Sequence, residues 1–170
     1  MPRYIYRLQP ALAVAFGITY HPGEWLFSLR ARSEAASVEL RLQDAQAEQL
    51  RRDLLAVAES FSGSRFALGR AKPLAPDDPI LRLPTDLEAT VVHLEAGRDP
   101  CRRLMYIRAE GETEGMPYEV QVWATPEQML ALAEQVEAAR SQARSRCPVC
   151  GFPLSEAPHV CPPGIVVEAG

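Results

Sequence analysis

Large apolar residues alternate with small or polar ones through most of the first forty positions. Tyr4, Tyr6 and Leu8 alternate with Ile5 and Arg7 ahead of Pro10. Leu12, Val14, Phe16, Ile18 and Tyr20 alternate with Ala13, Ala15, Gly17 and Thr19. A period of two sends successive side chains to opposite faces, so each run predicts a strand with one core face. His21-Pro22-Gly23-Glu24 reads as a turn. Trp25, Phe27, Leu29 and Ala31 continue the pattern, as do Val38, Leu40 and Leu42. The short turns between these runs predict antiparallel pairing.

The period then changes. Ala47, Leu50, Leu54, Val57 and Phe61 recur at three and four residues, which predicts an amphipathic helix. Asp44 is its expected N-cap, and Ser62-Gly63-Ser64 its end. Gln46, Gln49, Arg52 and Asp53 fall off the stripe and are expected in solvent. Residues 63–86 carry Pro73, Pro76, Pro79 and Pro84, which neither a helix nor a central strand tolerates, so the stretch reads as a linker.

The plan then recurs. Leu87 to Glu95 predicts a strand that turns at Gly97-Arg98-Asp99-Pro100. Met105 and Ile107 mark the next strand, Glu110 to Gly115 a polar turn, and Tyr118, Val120 and Val122 a third strand. Thr125-Pro126-Glu127-Gln128 is a strong helix start, with Thr as N-cap, Pro in the first helical position and Gln closing a capping box. Met129, Leu132, Val136, Ala139 and Ala143 form its apolar stripe. Arg140, Arg144 and Arg146 crowd its C-terminal end, where cations offset the helix dipole.

The expected fold is α+β: two antiparallel sheet-plus-helix halves, a possible internal duplication, with a small C-terminal zinc knuckle. The expected divisions are 1–62 for the first half, 63–86 for the linker, 87–146 for the second half and 147–170 for the knuckle and tail. Leu40-Arg41-Leu42 before the first helix and Val120-Gln121-Val122 before the second carry the suggestion of duplication.

The chemical signature lies at the end of the chain. Cys147-Pro-Val-Cys150-Gly is followed by His159-Val-Cys161-Pro. A two-residue spacer lets both sulfurs reach one cation, and thiolate plus imidazole suits tetrahedral Zn²⁺. Gly151 suits a knuckle whose backbone N–H groups turn toward sulfur. Cys147, Cys150, His159 and Cys161 are therefore the expected ligands. Their one-residue His159–Cys161 spacing is the less usual part of the pattern. Four protein ligands would close the shell, which makes the zinc structural. A redox pair at Cys147 and Cys150 would fit better at a helix start than after a helix end. A disulfide would call for an oxidising compartment.

Composition narrows the rest. The chain has 170 residues and a formal net charge of −4, which argues against a surface that tracks phosphates. No apolar run approaches membrane-spanning length, and no secretory leader is evident. A cytoplasmic location and no membrane contact are the expectations. Lys72 is the only lysine, and asparagine is missing.

From end to end the chain resembles a bacterial family of uncharacterised proteins known from actinobacteria and Chloroflexi, domain-of-unknown-function family thirty-ninety. The matching features are Phe16-Gly17, His21-Pro22-Gly23, Leu26-Phe27 with Leu29, Asp44-Ala45-Gln46, and the ending from Cys147 to Pro162. The chain departs from that pattern at Pro163-Gly164-Ile165 and at Asp44, where a lysine is common. The resemblance supports the fold and the zinc site and implies no mechanism.

Other residues weigh less. Cys101 after Pro100 reads as a plain thiol, His93 as a packed or surface histidine, His21 as a local hydrogen-bonding residue, and Asp77-Asp78 as solvated acids. Trp123 lies opposite Tyr118, Val120 and Val122, either covered by another layer or available for contact, and Trp25 also falls in a strand. No Gly-rich phosphate loop, G-x-S-x-G, H-E-x-x-H or coupled pair of acids appears. The leading expectation is a non-enzymatic, zinc-containing binding or adaptor protein that contacts a protein partner or itself through the tail, with Phe152 and Leu154 beside the ligands, through the proline-rich linker, or through both. The alternatives are a nucleic-acid-binding protein that uses the knuckle with Arg140, Arg144 and Arg146, and an enzyme of unrecognised type.

Overall fold

The computed structural model describes residues 4–21, 24–61, 84–147, 149–154 and 159–161. Its elements are β1 (Tyr4–Leu8), β2 (Ala13–His21), β3 (Glu24–Arg32), β4 (Ser37–Leu42), α1 (Asp44–Glu59), β5 (Leu87–Asp99), β6 (Leu104–Thr113), β7 (Met116–Ala124) and α2 (Pro126–Arg144). The class is α+β. Pro22, Gly23, Ser62-Gly63-Ser64, Asp77-Asp78, most of the proline-rich stretch and the extreme tail lie outside the described residues, as does the side chain of His21, while α1 ends earlier than expected, at Glu59 with Ser60 as its C-cap.

All seven strands share one sheet in the order β1-β7-β6-β5-β4-β3-β2. Within each run of three strands, pairing is antiparallel as the short turns predict. The two runs are not separate sheets, because β4 and β5 pair in parallel and place Leu40 beside Ala89. β1 leaves its sequence neighbours and pairs in parallel with β7, with Leu8 beside Val122. The link between β1 and β2 spans both edges of the sheet. Ala11 N–H donates to the Trp123 carbonyl of β7 at 2.7 Å, and Leu12 N–H donates to the Arg32 carbonyl of β3 at 2.7 Å. A single sheet whose two edges are tied at one corner must curl.

Register carries the core across the sheet. Phe16, Leu29, Leu40 and Ala89 lie side by side on one face, and Leu8, Val122, Ile107 and Ala96 continue the same face. Both helices pack on it, with Ala47, Leu50 and Leu54 of α1 and Met129, Leu132, Val136 and Ala139 of α2 buried. One continuous cluster results, with Val57, Phe61 and Ala143 at its margin.

Four details differ from the sequence reading. Gln43, not Asp44, caps α1, and its N–H donates to Gln46 Oε1 at 2.9 Å. Gln46 is half-buried, because its Nε2 also reaches the Val91 carbonyl at 2.9 Å. The strand after the linker runs on to Asp99 through Gly97 and Arg98, and a bulge between Val91 and His93 transfers the core face from odd to even positions. Gly111 belongs to β6, and the turn to β7 is only Glu114-Gly115, both at positive φ, as a two-residue hairpin of type I′ requires. α2 begins as predicted: Thr125 Oγ1 accepts from Gln128 N–H at 3.2 Å, and Gln128 Oε1 accepts from Thr125 N–H at 3.0 Å.

Candidate metal centre

α2 ends at Arg144, and the chain turns back on itself at once. Cys147 N–H donates to the Phe152 carbonyl and Gly151 N–H to the Cys147 carbonyl, both at 2.9 Å. Leu154 N–H reaches the Ser145 carbonyl at 2.9 Å, and Arg146 bridges to Pro153. Gly151 has φ of +72°, a conformation that costs glycine little and most other residues more. Arg146 Nη1 donates to the Gly151 carbonyl at 3.2 Å and closes the turn from outside. The loop is thus a tight hairpin anchored on the last turn of α2, with Cys147 at its inner corner.

This backbone gathers the four residues singled out from the sequence. The ligand atoms of Cys147, Cys150, His159 and Cys161 all lie within 4.8 Å of one another. Cys147 Sγ and Cys161 Sγ are 3.8 Å apart, and His159 Nε2 stands 3.0 Å from Cys150 Sγ and 3.6 Å from Cys161 Sγ. With Zn–S near 2.3 Å and Zn–N near 2.05 Å, a regular tetrahedron has S···S edges of about 3.8 Å and S···N edges of about 3.5 Å. Two of the observed edges match, and the third is shorter. The donor set could hold a metal ion and is compatible with zinc.

The electrostatics point the same way. Backbone N–H of Cys150 lowers the Cys147 thiol to about 6 against the cost of burial, helped by Val149 N–H and by the other two thiols. Burial and the adjacent sulfurs push Cys161 up to about 11. Three sulfurs this close do not all carry negative charge readily unless a cation sits among them.

The other candidates stay apart from this centre. Cys101 is an exposed free thiol in the β5–β6 loop, where Asp99 Oδ1 accepts the N–H groups of Cys101 and Arg102. His93 is exposed beside the β5 bulge. Trp123 is half-buried on the sheet face away from the helices, 6.2 Å from the Tyr106 ring, and Trp25 packs at the margin of the core.

The three arginines do not form a free basic patch. Arg140 turns toward α1 and pairs with Asp44 at 2.8 Å and with Glu48. Arg144 pairs with Glu137 at 3.1 Å, and Arg146 is bonded to the knuckle backbone. Sequence reasoning missed this seam, although Asp44 and Glu48 on one helix and Arg140 and Arg144 on the other stand four apart and so mark charged stripes.

The family model described as "Protein of unknown function (DUF3090)" matches residues 6–161. The chain belongs to this family. The match runs from within β1 to Cys161, so DUF3090 takes in the last three residues of β1, the other six strands, both helices and all four residues of the cluster. No curated protein and no solved structure matches the chain significantly. Among the described residues, no helix is long and apolar enough to cross a membrane.

Proposed function

We propose that Cys147, Cys150, His159 and Cys161 bind one structural zinc ion, and that the knuckle so formed presents Phe152 and Leu154 to a protein partner. The observation that carries this reading is the convergence of four soft ligand atoms within 4.8 Å beside two large apolar side chains left in solvent, Phe152 at 56% and Leu154 at 44% exposure. Apolar residues on a rigid support are the common anchors of protein contacts. Four protein ligands leave no open position for a substrate or an activated water, so the metal would shape the loop and not perform chemistry. Thiolate ligands also suit the reducing cytoplasm, which is the compartment we assign. We further read the two strand–strand–strand–helix units as copies of one ancestral unit.

The internal pairing of Arg140, Arg144 and Arg146 weighs against nucleic acid as the partner.

The test has two arms. Elemental analysis should find about one zinc per chain in the wild type and markedly less in Cys147→Ser and Cys161→Ser. Equal zinc in all three proteins refutes the metal assignment. Affinity capture from the native host should recover a partner, or light scattering a self-complex, that Phe152→Ala with Leu154→Ala weakens while zinc content stays unchanged. Undiminished association in that double variant removes the contact role.

A further inference from the structure

We propose that the cluster is an oxidation-sensitive clasp: a hydroperoxide joins Cys147 and Cys161 as a disulfide and expels the metal. This rests on the zinc reading above and adds regulation to it. All three sulfurs lie within 4.8 Å of one another, and the contacts within that set differ. Cys147 Sγ faces Cys161 Sγ at 3.8 Å, while Cys150 Sγ faces His159 Nε2 at 3.0 Å. A disulfide needs about 2.05 Å between sulfurs, so Cys147 and Cys161 must close by less than about 2 Å. A Cys147–Cys150 link would instead pull against the Val149 N–H bond to Cys147 Sγ and the Gly151 N–H bond to the Cys147 carbonyl, which set the loop's shape.

Exposure sets the order of events. Cys147 is 5% exposed at the inner corner of the hairpin, whereas Cys150 and Cys161 are both half-buried, and of these two Cys161 is the one at 3.8 Å from Cys147 Sγ. Bound zinc would hold the cluster's thiols deprotonated, so Cys161 reacts as a thiolate: it attacks the peroxide oxygen, the O–O bond breaks, and a sulfenic acid forms as hydroxide leaves. The Cys147 thiolate then attacks the Cys161 sulfur, the S–O bond breaks, and a second hydroxide leaves with the new S–S bond in place. Two thiolates and one hydroperoxide thus give a disulfide and two hydroxides, or one hydroxide and an alkoxide from an organic peroxide. With two of its four ligands gone, zinc is released. The disulfide still ties Cys161 to the end of α2. Cys150 and His159 lose their common ion, so the turn that carries Phe152 loses one side of its cross-link.

The experiment uses the full chain, reduced and zinc-loaded, at low protein concentration. Graded hydrogen peroxide is added, zinc release is followed with a chromogenic chelator, and the linkage is mapped by mass spectrometry of non-reduced peptides. The expected result is release of about one zinc per chain together with a Cys147–Cys161 peptide link, both reversed by dithiothreitol and added zinc. Cys101, exposed and remote from the cluster, is the internal reference for ordinary thiol reactivity. Zinc still bound after Cys101 is fully oxidised overturns the proposal, and so does release with a Cys147–Cys150 link. A reduced protein without zinc strikes the metal reading itself, whereas bound zinc that resists peroxide strikes only the clasp.

Discussion

Arg140 of α2 grips Asp44 in the first turn of α1 through two parallel hydrogen bonds, Nε to Oδ1 at 2.8 Å and Nη2 to Oδ2 at 3.1 Å. The same guanidinium reaches Glu48, and Arg51 links Glu48 to Glu137. This seam joins the two helices seven positions ahead of the first sulfur. Arg140 is only 15% exposed, so its removal leaves two carboxylates facing each other with less compensation. We expect Arg140→Ala to cost about 2 kcal/mol in urea unfolding, and Arg140→Lys somewhat less, because an ammonium cannot make the forked contact. A loss within error of zero would mark the seam as ornamental.

The seam also has a pH signature. The Arg140 hydrogen bond holds Asp44 below its ordinary value of 3.8, and the Arg51 hydrogen bond holds Glu48 below 4.5. Carboxylates lowered on folding contribute stability that is full above their unfolded values and lost as pH falls through the folded ones. The stability gap between wild type and Arg140→Ala should therefore be constant from neutrality down to about pH 5 and shrink below about pH 4. A gap that does not change down to about pH 2 contradicts this assignment.

Gly111 and Tyr118 make a second testable pair. A Cβ at Gly111 would stand 2.5 Å from the Thr90 carbonyl oxygen, which is strand backbone, and 2.6 Å from the hydroxyl of the buried Tyr118. At Gly97 the same Cβ would meet the Tyr106 ring at 2.5 Å, but that ring is half-exposed and can swing aside. Gly111→Ala should cost about 3 kcal/mol and Gly97→Ala about 1 kcal/mol, read from thermal or urea unfolding. The reverse order would show that backbone oxygen is the softer neighbour.

Burial pushes the Tyr118 phenol from 10.0 to about 12, and its hydroxyl donates to the Thr90 carbonyl at 2.7 Å. A weak acid whose value is raised on folding contributes stability that is full below the unfolded value and lost as pH rises through the folded one. Wild type should thus lose stability between pH 10 and about 12 by a component that Tyr118→Phe lacks. At neutral pH the phenylalanine variant should lose about 1 kcal/mol for the missing hydrogen bond. Identical alkaline profiles for the two proteins would rule Tyr118 out as the titrating group.

Chelation separates the knuckle from the body. The sheet and both helices share one apolar core, whereas the hairpin after Arg146 has Cys147 as its buried side chain among the described residues. Removing zinc should abolish hydrogen-exchange protection at Cys147, Gly151 and Leu154 N–H and leave β5 to β7 protected. Global loss of protection would instead make the metal a condition of the whole fold.

Local signals were readable from sequence, and long-range ones were not. Alternation located every strand, the three-four spacing located both apolar stripes, and Thr125-Pro126 fixed the start of α2. Cysteine spacing picked out four residues that do converge. The parallel β4–β5 and β1–β7 pairings were invisible, because alternation records which face a side chain takes and not which strand lies beside it. The same limit hid Asp44: a carboxylate before a helix reads as a cap until its partner, 96 residues away, is known. Gly111 read as a turn because glycine marks both turns and close approaches, and only the Tyr118 ring tells them apart.

The pairing of Tyr4 with Tyr118 bears on how the protein is made. Residues 4–8 leave the ribosome before the other strands of the sheet, yet the strand they dock against comes more than a hundred residues later. At roughly 5–20 residues per second, β1 waits for seconds with its neighbour unmade. Meanwhile β2, β3 and β4 can already form a meander under α1. The nascent chain therefore carries an unmated apolar segment, Tyr4-Ile5-Tyr6, through most of its synthesis, and any chaperone that reads aromatic and β-branched stretches has its longest opportunity there.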